Sequence, residues 1–125
     1  MPISYRIDPS RQLILTHAWG ILTDADLLAH KERLLLDPAF DAGMPELSDV
    51  RGIQRLDVTA AGVRAMIDHD MGHSAQRAGH RLALVLPTDA AFGMARMYQL
   101  MGKQEEDSVG VFRTIEEAEA WLEAR

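Results

Sequence analysis

The sequence predicts an α/β fold of order ββαβαβαβα, with a mostly parallel sheet, an antiparallel first strand and covering helices. Three observations carry this. Strand-like and helix-like stretches alternate after an opening pair of strands, a pattern that gives crossover helices over parallel strands. A threonine stands where each helical stretch should begin: Thr23, Thr59, Thr88 and Thr114. RLALVLP (81–87) is a continuous apolar run, the pattern of a strand buried on both faces.

Taken in order, ISYRI (3–7) and LILTHAWGIL (13–22) read as strands around the turn cluster DPSRQ (8–12), an antiparallel hairpin. Thr23, with Asp26 three residues on, forms a capping box that opens the first helix. Leu27, Leu28, Leu34 and Leu35 form its apolar stripe, and Pro38 ends it. Lys31 falls on that stripe and is expected to snorkel to the helix edge. After the loop DAGMP (41–45), ELSDVRGI (46–53) reads as a short strand ending near Gly52. Thr59 caps a second helix that runs to Gly79, with Val63, Ile67, Met71 and Ala75 facing the core. TDAAFGMARMYQLMG (88–102) is the third helix, KQEED (103–107) a charged loop and SVGVF (108–112) the last strand. Thr114 with Glu117 opens the final helix, with Ile115, Ala118, Trp121 and Leu122 inward.

At 125 residues the chain (1–125) is expected to be one domain, burying roughly two-thirds of its unfolded surface. Its net charge of −6, with no run of Lys and Arg, argues against nucleic acid as a partner. With no cysteine there is no disulfide, thiolate metal site or thiol nucleophile. MPISYRID lacks a signal-peptide core and LALVLP (82–87) is too short to span a bilayer, so a cytoplasmic protein without integral membrane contact is expected.

HDMGH (69–73) imitates the zinc-protease pattern, but aspartate replaces glutamate and no third ligand follows at a recognised spacing. His69 and His73 are read as a solvated face, and neither a metal nor another cofactor is expected. No nucleophile elbow, P-loop or dinucleotide fingerprint is present. A positional argument favours the carboxyl ends of the parallel strands, where open α/β sheets hold ligands. There Asp49, Arg51, Thr88, Asp89 and Arg96 could bind an anion or a partner carboxylate; the alternative is an Asp–Arg pair plus a helix cap. On the third helix, Met94, Met97, Tyr98 and Met101 share one face with Ala90 and Ala91 beside them. Phe92 lies opposite with Arg96, Gln99 and Lys103. Either Phe92 is an exposed anchor for self-association, or the helix is rotated and Phe92 is core.

The element order, together with ELSDVRGI, LPTDAAFGMARMYQLMG and VFRTIEEAEAWLE, resembles the SpoIIAA-like, or STAS, domains. More closely, it resembles small stand-alone bacterial members related to STAS and CRAL-TRIO proteins, whose activities are mostly unassigned. The likeness covers nearly the whole chain. In anti-sigma-factor antagonists of that family, the corresponding strand leads into Asp-Ser-Ser-Gly-Leu, whose first serine a partner kinase phosphorylates. Thr59, Ala60, Ala61, Gly62 and Val63 occupy that motif here, and the switch position is Ala60, which has no hydroxyl. The resemblance therefore implies the fold without the phospho-switch.

Three functions stay open. The first is a non-catalytic, self-associating (homodimeric) or protein-binding module. The second is a binder of a small amphipathic or lipid-like ligand, favoured by an apolar cavity reaching Met94, Met97 or Met101. The third is an enzyme, favoured by convergent titratable side chains in a pocket.

Overall fold

The computed structural model describes residues 2–102 and 108–124, so KQEED (103–107), including Lys103, lies outside the described residues. The described chain runs β1 (Ile3–Asp8), β2 (Leu13–Thr23), α1 (Asp24–Leu36), β3 (Glu46–Asp57), α2 (Ala60–Gly72), α3 (Ser74–Arg77), β4 (Leu82–Val85), α4 (Asp89–Met101), β5 (Val109–Phe112) and α5 (Ile115–Glu123). The strands lie side by side in chain order, β1 antiparallel to β2 and every later pair parallel. This is the expected architecture, with one short helix added.

Strand alternation sorts the core into two layers. Val50 and Leu84 turn toward α1, α2 and α4, where they join Leu22, Val63, Met66, Ala95 and Tyr98. Leu47, Ala83 and Val85 face the other way and pack against Ala118 and Leu122 of α5. β4 is therefore interior and covered on both faces, which is why RLALVLP shows no alternation. The threonines cap as expected. Thr23 and Asp26 complete a capping box, and Thr59, Thr88 and Thr114 accept from the backbone N–H of Gly62, Ala91 and Glu117.

Four details differ from the sequence expectations. β3 runs on to Asp57, because Ile53–Asp57 continue to pair with β2 beyond the end of β4. α2 buries Val63, Met66, Ile67 and Asp70, while Met71 is 65% exposed and Ala75 is exposed. A strict four-residue repeat drifts about 40° per step from a 3.6-residue helix, so by Met71 it has left the buried face. The helix also stops at Gly72, and Gly79 closes the following short α3 with φ +78°. Finally, α4 is rotated relative to the expected wheel: it buries Ala91, Ala95 and Tyr98, and exposes Ala90 and Leu100.

Candidate functional site

The residues expected at the strand ends do not converge. Asp49 and Arg51 sit within β3 rather than at its end, and pair with each other through Nε–Oδ1 at 2.9 Å and Nη2–Oδ2 at 3.0 Å. Arg51 holds the Asp49 carboxyl below its ordinary range. Thr88 is engaged as the α4 cap, and Asp89 takes Arg113 Nη1 at 2.6 Å. Arg96 is exposed and donates to Gln99 Oε1 at 2.9 Å. Phe92 is half-buried and packs against the cluster of Ile3, Leu22, Val50 and Leu86, so its ring does not stand free as an anchor. The pairing-plus-cap alternative thus describes these groups.

The histidine pair also differs from a solvated face. His69 and His73 are both half-buried, their rings 4.3 Å apart, and His73 Nδ1 lies 2.8 Å from the His69 carbonyl. Burial, then His73, pushes His69 below its ordinary pKa. Among the described residues no group of three or more His, Cys, Asp or Glu could hold a metal ion.

The polar chemistry gathers at the opposite end of the sheet, where the parallel strands begin and α1, α2 and α4 finish. Lys31 is buried there rather than snorkelling. Its Nζ donates to Tyr98 Oη at 2.9 Å and lies 3.2 and 3.3 Å from the two Asp70 carboxylate oxygens. Tyr98 Oη donates to Asp70 Oδ2, and Arg77 Nε lies 3.4 Å from Asp70 Oδ1. Burial opposes the Lys31 charge, but Tyr98 and Asp70 outweigh it and raise its pKa, so the amine remains a cation.

A second buried group adjoins the first. Glu46, the first residue of β3, accepts from Thr16 Oγ1 at 2.6 Å and from His30 Nε2 at 2.9 Å. His80 Nε2 lies 3.9 Å from its other oxygen. Burial works against this carboxylate, but His30 and then His80 overcome it and hold it well below 4.5. His30 Nδ1 is buried without a hydrogen-bond partner among the described residues.

Both groups border a cavity of about 90 Å³ between the sheet and the helices α1, α2 and α4. Its walls are mainly aliphatic, including Leu22, Leu34, Val63, Leu84 and Ala95, and it reaches Met94. His30, Lys31, Glu46, Arg77 and Tyr98 form its polar end. A groove of about 300 Å³ outside that end shares Arg77 with the cavity and is bordered by Asp70, Met71, His80 and Met101.

A sequence signal for this cluster existed. Leu27, His30, Lys31 and Leu34 have the i, i+3, i+4, i+7 spacing of a buried helix face, as do Val63, Met66, Ile67 and Asp70. Polar residues in those positions need buried partners. Which partners, drawn from five different elements, the spacing does not say.

The helix start carrying the antagonist-like motif is also resolved. Asp24 reaches across from α1 to the α2 N-terminus, accepting from Thr59 N at 2.9 Å and Thr59 Oγ1 at 2.7 Å. Thr59 Oγ1 in turn accepts from Gly62 N at 3.0 Å. A carboxylate of the chain itself thus occupies this anion-favouring end.

No protein-family model and no curated protein matches the chain. Among solved structures it is similar to an uncharacterized protein of the DUF3478 family with a SpoIIAA-like fold from Shewanella loihica PV-4. The two share 18% identity with a TM-score of 0.61, over 96% of this chain and 93% of that one. At this identity the likeness carries architecture alone, and it agrees with the strand order and crossovers described above: the chain has a SpoIIAA-like α/β fold.

Proposed function

We propose that this protein binds a small amphipathic molecule, without covalent chemistry, between its sheet and the helices α1, α2 and α4. The observation that carries this is the cavity of about 90 Å³ with aliphatic walls and one charged end. Such a space suits a ligand with an apolar tail and a polar head. An engineered apolar cavity of roughly 150 Å³ takes benzene, so this one suits a tail of about three or four carbons. The titratable groups at its end also bear on catalysis, but they are paired with one another. Lys31 is held as a cation and Glu46 as a carboxylate, so neither is poised as a base or nucleophile near neutral pH.

The test is native mass spectrometry of protein purified without denaturation, beside Ala95→Leu, which fills the cavity from α4. Expected is a small retained mass in the wild type that disappears in the variant, with little change in melting temperature. The same retained mass in both proteins would remove the cavity as its seat.

A second reading, self-association or docking of another protein, is favoured by a separate observation. Leu100 is 66% exposed at the end of α4, and Met71 and Met101 border one groove beside it. Methionine-rich apolar surface adapts readily to a partner. On this reading Leu100, and not Phe92, is the anchor, with Arg96 as a polar neighbour one turn away.

A further inference from the structure

Arg77 is positioned unlike the other charges of the cluster. Its side chain is only 12% exposed, yet its one ion pair is Nε to Asp70 Oδ1 at 3.4 Å. Its terminal Nη1 and Nη2 make no hydrogen bond among the described residues, and it borders both the cavity and the outer groove. Lys31, in contrast, has no capacity to spare, since Tyr98 Oη and the two Asp70 oxygens surround its ammonium. Lys31 and Arg77 bring two positive charges to one Asp70 carboxylate. The Arg77 fork thus keeps donors free for a ligand at the polar end. A second polar atom borders the same cavity: His30 Nδ1, on a side chain 8% exposed, is buried without a hydrogen-bond partner among the described residues.

Resting on the cavity reading above, we propose that the ligand is a monoanion, a short-chain carboxylic acid in its ionised form. Its carboxylate takes the Arg77 fork and its alkyl tail lies among the aliphatic walls. A carboxylate matches the two parallel N–H donors of a guanidinium. A neutral head would forgo the charge-assisted pair, and phosphate has no tail for the aliphatic walls.

Calorimetric titration of the intact protein at neutral pH with butyrate, butyramide and inorganic phosphate tests this. Butyrate and butyramide share a shape and differ in charge, while phosphate is an anion without a tail. Butyrate is expected to bind roughly tenfold or more tighter than either of the others, one charge-assisted fork being worth at least that factor. Arg77→Gln is expected to abolish the preference for butyrate over butyramide, and Ala95→Leu to abolish binding of both. Equal affinity for butyrate and butyramide, or a preference that survives Arg77→Gln, would overturn the anion assignment while leaving the cavity reading in place. Phosphate binding as tightly as butyrate would make this a bare anion site and overturn the assignment to a carboxylic acid. Binding of neither organic ligand would sink the cavity reading and the anion assignment together. Should Arg77→Gln fail to fold, the wild-type comparison of butyrate with butyramide decides alone.

Discussion

At Gly62 the fold leaves no room for a side chain, because a Cβ there would collide with the Asp24 carboxylate. That carboxylate is fixed by Thr59 and satisfies the α2 N-terminus, so it cannot retreat without giving up two hydrogen bonds. Gly62→Ala is therefore expected to destabilise the protein by about 1–3 kcal/mol, read from urea unfolding. A variant as stable as the wild type would mean that Asp24 moves freely. Glu46 supports a prediction in pH. Its carboxyl is held well below 4.5 in the folded state, so its ionisation favours folding above pH 4.5, and that contribution is lost as pH falls below it. The wild-type melting temperature should drop more steeply than that of Glu46→Gln between about pH 5 and pH 3. Parallel curves for the two proteins would show that other carboxylates govern the acid transition.

Among the elements, α4 is the most informative. Its sequence offers two apolar arcs, one through Met94, Met97 and Met101 and one through Ala91 and Ala95. The small-residue arc, joined by Tyr98, faces inward because alanines allow the helix to approach the sheet closely while Tyr98 reaches the Lys31–Asp70 pair. Phe92 then closes the edge of the core beside Ala91. Phe92→Ser is expected to lower stability by about 1–3 kcal/mol, less than for a fully buried ring, whereas Arg96→Glu should stay within about 0.5 kcal/mol. Separate thermal melts of the two variants check this, and a neutral Phe92→Ser would return the ring to the surface. The same geometry explains Lys31. Once α1, α2 and α4 bring Lys31, Asp70 and Tyr98 together, internal pairing replaces the route to water.

For the whole molecule, the two functional readings place ligand and partner on different surfaces, so they separate by experiment. Leu100→Glu alters the exposed end of α4 without touching the cavity lining. If the protein self-associates through that end, the variant should show about half the wild-type mass by light scattering with an unchanged melt. An identical mass in both proteins would assign Leu100 no role in assembly. Among the described residues no helix is long and apolar enough to cross a membrane.

The sequence by itself determined the element order, the interior position of RLALVLP, the threonine caps and the loss of a hydroxyl at Ala60. These follow from local rules: side-chain period, capping chemistry and residue identity act within a few neighbouring positions. The strand-end rule pointed to Asp49, Arg51, Thr88 and Asp89, but it names a location without saying whether the residues there are already paired, as Asp49 with Arg51 and Asp89 with Arg113 are. Only the tertiary structure decided that Lys31, Asp70, Arg77 and Tyr98 meet, and that Glu46 lies between His30 and His80. Apart from Asp70 with Arg77, those contacts join residues 16 to 67 positions apart. Helix rotation and the strand at which each crossover lands set them, and both come from packing the whole core at once.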